Sequence, residues 1–352
     1  MVLGAGLSAA VALSACGSVA DKSDAGSGGT TGSAGSTGSG GAGAGGGATG
    51  SGGSTLDAGT GGAVDAGNDA PAAACDLTQP FGTPALVTSL NTGFQEIDVW
   101  LTDDSRTALI ASNRTDIGGL GSYDIYIASR PGPTGDFGAM TALANVNSAS
   151  SDRRPVLSPN RLTLFFSSNR PIGDGGTGTN IFVVTRPNAL ADFGTPGPLA
   201  GANSAATDYP DSLTSDGTLL YLDSTVGANR DIYVRDLTTS NPPTPVAELN
   251  SSSAEAFAVI SSDGRTIYFA TTRPLPGAVG DAAVKTDLDV WVARRAGAAG
   301  TFSNLAPVTE LNTTSEDAPS WLSPDGCTIY LSSDRSAPAG DRHIWAASKP
   351  AN

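Results

Sequence analysis

The chain has 352 residues, is 39% hydrophobic and 15% charged, and contains 46 glycines, 3 cysteines and 1 histidine. Its formal net charge is −15, and no cluster of lysine or arginine interrupts the acidic balance. Nucleic-acid binding needs a basic surface to displace phosphate counterions, so that class is excluded. One histidine without metal-spaced cysteines likewise excludes an ordinary zinc centre.

The first element is an apolar run of small residues, 2–15, too short to span a bilayer as a stable helix. It ends in Leu13-Ser14-Ala15-Cys16, which resembles the bacterial lipoprotein signal. That resemblance implies a signal peptide over 1–15 and a diacylated Cys16. It also implies a place in the bacterial cell envelope, lipid-anchored on the periplasmic or surface face of the outer membrane. Gly17 follows the cysteine where an acidic retention residue for the inner membrane would stand. A generic signal-peptidase site is the alternative. No basic residue precedes the apolar run, which leaves a start upstream of Met1 open.

Residues 16–74 follow as a linker of Gly, Ser, Thr, Ala and Asp, with Val19, Leu56 and Val64 as the larger aliphatics. Such a segment cannot bury enough apolar surface to offset the entropy of ordering, so a disordered tether is expected. A Gly-rich coil of this length has a root-mean-square span of roughly 40 Å. The folded domain is expected over 75–352. All but five of the 34 acidic residues and all but one of the 19 basic ones lie there.

From residue 91 onward the chain repeats. An Asn is followed thirteen residues later by a tight turn carrying Asp or Asn: Asn91/Asp104, Asn147/Asn160, Asn203/Asp216, Asn250/Asp263 and Asn312/Asp325. Each turn separates two apolar runs, and Asp-Gly in this position is a strong hairpin signal because Gly accepts positive φ. The run after the turn is continuously apolar, as in Leu164-Phe165-Phe166 and Ile329-Tyr330-Leu331. That pattern marks a strand covered on both faces. A third strand has an aromatic middle residue in every copy: Tyr126, Phe182, Tyr233, Trp291 and Trp345. A fourth runs into the next Asn. Short sheets covered on both faces and repeated radially describe an all-β fold, a β-propeller.

Several of these elements together resemble the WD-like propeller repeat of the TolB family: Ser158-Pro159-Asn160, Ser168-Asn169-Arg170, the Ser323-Pro324-Asp325-Gly326 turn, and Ser333-Asp334-Arg335. The resemblance covers about residues 81 to 350. The third copy departs from it, with Ser224-Thr225-Val226 in place of the Ser-Asn-Arg run. TolB propellers have six blades, but a sixth copy is not found here. A strand over 83–90 precedes the first Asn, and the chain ends after the third strand of copy five. Five blades are therefore expected, the last completed by the amino-terminal strand. This closure brings Cys75 and Cys327 to one side of one sheet, where a disulfide is expected in an oxidising compartment. Two free thiols are the alternative.

Five residues past each Asn stands an acid: Glu96, Asp152, Asp208, Glu255 and Asp317. At the entry of the innermost strands they would ring the channel mouth and offer a cation such as Ca²⁺ a set of hard oxygen ligands. The plainer reading is architectural. Arg114, Arg170, Arg273 and Arg335 stand at a constant offset and would pair with them, leaving Asp208 opposite Val226. Catalytic patterns are poor. His343 takes a strand position held elsewhere by Asp or Asn and reads as a surface substitution, without a nucleophile elbow beside it. Asp98, Asp211 and Glu316 break the repeat and keep a glycoside hydrolase or lyase in play as the alternative.

The function expected is a monomeric, non-catalytic binding module for a protein or a cell-envelope polysaccharide. It would need no cofactor and would touch the membrane only through its lipid.

Overall fold

The computed structural model describes residues 75–173, 178–227, 229–278, 285–336 and 340–352. The signal segment 1–15, Cys16 and the linker to residue 74 lie outside the described residues. The described chain forms five antiparallel four-stranded sheets, the blades of a five-bladed propeller. The first blade is β2 (Glu96–Leu101), β3 (Thr107–Ser112), β4 (Asp124–Ser129) and β5 (Thr141–Ala142). The second is β6 (Asp152–Leu157), β7 (Thr163–Ser168), β8 (Asn180–Thr185) and β9 (Gly197–Pro198). The third is β10 (Asp208–Leu213), β11 (Leu219–Ser224), β12 (Asp231–Asp236) and β13 (Thr244–Pro245). The fourth is β14 (Glu255–Ile260), β15 (Thr266–Thr271), β16 (Asp289–Arg294) and β17 (Ser303–Pro307). The last joins β18 (Asp317–Leu322), β19 (Thr328–Ser333) and β20 (His343–Ser348) to β1 (Ala85–Leu86), so both chain ends close one blade.

The second strand of each blade has five of its six residues buried, because a neighbouring blade covers each face. Side chains such as Ile110, Phe166, Leu220, Phe269 and Leu331 fill the interfaces between blades. Each contributes about 1.5–3 kcal/mol on full burial.

The repeat Asn closes the ladder sideways. Its amide donates to and accepts from the backbone of one aliphatic residue in the third strand of the preceding blade. Asn147 does so with Ile125 at 2.8 and 2.9 Å, Asn203 with Ile181, Asn250 with Ile232, and Asn312 with Val290. Asn91 makes the same pair with Ile344 across the ring closure. A planar side chain with adjacent donor and acceptor imitates one residue of an antiparallel strand.

The hairpin turns use one device. A Thr or Ser hydroxyl donates to the turn carboxyl or amide, as in Thr102–Asp104 at 2.6 Å and Ser158–Asn160 at 2.7 Å. Gly217, Gly264 and Gly326 supply positive φ in the last three copies, while Ser105 and Arg161 adopt it in the first two.

The expected strand over 83–90 pairs only at Ala85 and Leu86, after which the chain turns through a 3-10 segment, Thr88–Leu90. The chain must climb there from the outer edge of one blade to the centre of the next. The same Val-to-Leu turn recurs at Val246–Leu249 and Val308–Leu311.

At the outer edge of three blades an arginine lies over a phenylalanine seven residues on: Arg130/Phe137, Arg186/Phe193 and Arg295/Phe302, at 4.2–4.5 Å. At the closure Lys349 covers Phe81, which arrives from the amino-terminal end.

Candidate functional site

Every innermost strand bulges at the same place, between Ile97 and Trp100, Arg153 and Val156, Pro210 and Ser212, Ala256 and Val259, and Pro319 and Trp321. Asp98, Arg154 and Phe257 take φ of 50–56° there. A bulge re-aims a side chain that would otherwise point along the sheet normal. These positions accordingly line the channel, together with Pro210 and Pro319.

At this waist Arg154 reaches from the second blade into the third. Its Nη1 donates to Asp211 at 2.6 Å and to Asp223 at 2.5 Å. Its guanidinium lies 3.6 Å from the ring centroid of Phe257 and 4.5 Å from that of Tyr209. Arg230 Nε donates to the other oxygen of Asp223 at 2.5 Å. The two aspartates are almost fully buried, with side-chain exposures of 1% and 0%.

Burial pushes the Asp211 carboxyl well above the ordinary range, and the adjacent Asp223 charge adds to this against the pull of Arg154. Burial also opposes the charge on Asp223, but Arg154 and Arg230 outweigh it and hold that carboxyl low. For Arg154, burial likewise works against the charge, and Asp223 and Asp211 overcome it, so the guanidinium stays charged. Asp211 Oδ2 has no hydrogen bond outside the cluster that this carboxyl forms with Arg154 and Asp223. The free volume at the waist is about 20 Å³, room for about one water.

Toward the hairpin turns the channel widens into a pit with about 70 Å³ of free volume. Trp100 and Trp321 line it with Pro159, Pro324, Ser and Thr hydroxyls, and the acids Asp103 and Asp211. Trp100 remains partly exposed while packing against three apolar clusters, which join the last and first, the first and second, and the second and third blades.

The acids of the repeat lie elsewhere. Glu96, Asp152, Asp208, Glu255 and Asp317 are 0–1% exposed at the first residue of the innermost strands. Each accepts the backbone N–H and the hydroxyl of the residue after the repeat Asn: Thr92, Ser148, Ser204, Ser251 or Thr313. None of the five lines the waist or the pit.

Arg170, Arg273 and Arg335 pair with Asp152, Glu255 and Asp317 at 2.7, 3.0 and 2.6 Å. Arg114 departs from this pattern. Its guanidinium takes the nearer Asp116 at 2.8 Å through a two-pronged contact, leaving Glu96 as a longer-range charge. His343 Nδ1 stands 4.0 Å from Glu96, and its side chain is 20% exposed. It is thus tucked against the first blade, which a surface substitution would not be. Glu316 pairs with Arg342. Among the described residues no group of three or more His, Cys, Asp or Glu side chains is arranged to hold a metal ion.

Cys75 and Cys327 are disulfide-bonded with Cα atoms 5.7 Å apart, and Cys75 also bridges to Ala351. Sequence reasoning missed Arg154, Asp223 and Arg230. A signal existed for two of them. Asp223 occupies a second-strand column otherwise filled by Ala111, Ser167, Ala270 and Ser332, and Arg154 shares its column with Asp98, Pro210, Phe257 and Pro319.

No family model and no curated protein matches the chain. Among solved structures it is similar to a protein assigned as TolB from Agrobacterium tumefaciens, at 16% identity over 76% of this chain and 85% of the other, with a TM-score of 0.47. It is also similar to a protein assigned as a glycoside hydrolase from Bacteroides ovatus, at 9% identity over 77% and 96%, TM-score 0.48. A third, assigned likewise from Parabacteroides distasonis, shares 13% identity over 78% and 94%, TM-score 0.46. The likeness is one of fold.

Proposed function

We propose that the propeller is a non-catalytic binding module of the bacterial cell envelope, anchored by a lipid on Cys16 and engaging a cell-envelope glycan or protein at its channel mouth. The observation that carries this is the state of the channel acids. Glycoside cleavage needs two carboxyl groups on either side of a sugar, with room between them for the ring. Here Asp211 and Asp223 share one arginine, and the waist between the blades has room for about one water.

One observation favours the rival reading of a hydrolase or lyase. Asp98 and Asp211 line the same waist, and burial pushes Asp211 toward the protonated form that a general acid requires. Incubating the full chain with a polysaccharide panel separates the two. The binding module retains glycan or envelope protein without product, whereas turnover abolished by Asp98→Asn or Asp211→Asn would establish the enzyme. The lipid anchor has its own test: Cys16→Ala should move the protein from the membrane to the soluble fraction.

A further inference from the structure

Three properties of the hairpin-side pit point to one ligand chemistry. First, its aromatic wall is not demanded by the fold. The column that supplies Trp100 and Trp321 holds Val156, Ser212 and Val259 in the other three copies, and those blades close equally well. Trp100 is held by three apolar clusters yet keeps part of its surface open, which fixes a ring at the wall of the pit. An aromatic face offers a large contact area at low entropic cost.

Second, a polar group waits at the pit floor. The Asp211 side chain is 1% exposed, lines both the waist and the pit, and its Oδ2 has no hydrogen bond outside the cluster with Arg154 and Asp223. Buried polar atoms are normally fully satisfied, so a carboxyl oxygen with no bond outside its cluster, beside an open pit, marks a place for an incoming hydrogen-bonding group.

Third, no Lys or Arg stands among the described residues lining the pit, while Asp103 stands at its rim. Anionic ligands are therefore disfavoured by charge. The shape also discriminates. Five turns surround the opening in a closed ring, and Pro159 and Pro324 stiffen it. An extended peptide needs an open-ended groove, whereas a closed rim admits the end of a chain.

We infer that the pit is a saccharide subsite receiving the terminal unit of a neutral, polyhydroxylated glycan, with Trp100 as its stacking platform and Asp211 Oδ2 as a hydrogen-bonding group at its floor. The inference rests on the binding-module reading above and narrows it to one end of the channel and one ligand class.

The test titrates the full chain with cellotetraose, xylotetraose and mannotetraose, following tryptophan emission and heat. Tetragalacturonate and decaproline serve as anionic and peptide probes. At least one neutral tetrasaccharide should bind saturably, and Trp100→Ala should weaken it about tenfold or more, the loss expected of an aromatic anchor. Because Trp100 also packs internally, Asp103→Arg at the exposed rim provides a second variant, which should weaken binding with an unchanged melting temperature. Absence of binding by every neutral saccharide overturns the inference, as does binding of decaproline or tetragalacturonate alone. Parent-like saccharide affinity in both variants overturns it too, while leaving the binding-module reading intact at another surface. Cleavage of a probe that stops in Asp98→Asn removes that reading itself.

Discussion

Arg154 of the second blade and Asp223 of the third are joined at 2.5 Å at the waist of the channel, and no other copy of the repeat places a cation or a buried acid at these two positions. The pair, with Asp211 and Arg230, turns the centre of the ring into a charged plug. Removing Arg154 leaves two buried carboxyls with Arg230 as their one remaining cation, on the Asp223 side alone. Arg154→Met should therefore cost about 3–5 kcal/mol, compared with about 0–1 kcal/mol for breaking the exposed Arg161–Asp104 pair. Urea unfolding of the two variants measures both. Equal and small losses would mean that the plug contributes little.

The same cluster makes stability depend on pH in a defined direction. Asp211 titrates above the ordinary aspartate value of 3.8 in the folded chain, so the native state holds a proton that the unfolded state releases first. Its contribution is complete below that value and is lost as pH rises through the folded pKa. Asp223 is lowered, so its contribution is present above 3.8 and lost as pH falls through its folded pKa. Asp211→Asn should thus gain stability relative to the parent on going from acid to neutral pH. Unfolding midpoints for both proteins across that range test the sign; a variant that loses ground as pH rises contradicts it.

The third copy offers a gain. Asp208 is 1% exposed and among the described residues accepts from Ser204 alone, because Val226 occupies the place of the arginine and is left 53% exposed. Arg170 and Arg335 show the geometry available, each bonding its acid and a backbone carbonyl. Val226→Arg should raise stability by up to about 1 kcal/mol, seen as a higher melting temperature. No change, or a fall, would mean that the loop of this blade cannot present the guanidinium.

Ring closure rests on β1, which pairs Ala85 and Leu86, and on separate backbone bonds in which Asp76, Gly82 and Val87 donate to Pro350, Ser348 and Ile344. The Cys75–Cys327 bridge spans 252 residues beside it. Its removal by Cys327→Ser should cost about 2–4 kcal/mol. Intact mass after alkylation with and without reductant reports the bond directly; two thiols alkylated without reductant would contradict it.

Much of the fold was legible because the repeat enforces it. The Asn-to-turn interval, the continuously apolar second strands and the mid-strand aromatics each answer to a backbone requirement that every blade must meet. Even the closure followed, since the chain carries a spare strand at one end and lacks one at the other. The site was less legible for the same reason. Aligning copies draws attention to what recurs, and the recurring acids turned out to be buried in their own loops. Arg154 and Asp223 matter because they do not recur, and their contact spans 69 residues and two blades. Trp100 and Trp321 drew no notice, because their column holds Val156, Ser212 and Val259 in the other copies. The arginine-over-phenylalanine pairs escaped notice because loop length varies between copies and hides their register.

The decisive experiment is product analysis by mass spectrometry after prolonged incubation of the full chain with neutral polysaccharides, beside its Asp98→Asn and Asp211→Asn variants. With the channel acids held by Arg154 and the waist too narrow for a sugar ring, the chain should bind glycan and release no shorter saccharide. Products formed by the parent and missing from either variant would show that the waist opens and that the acids at its centre are catalytic.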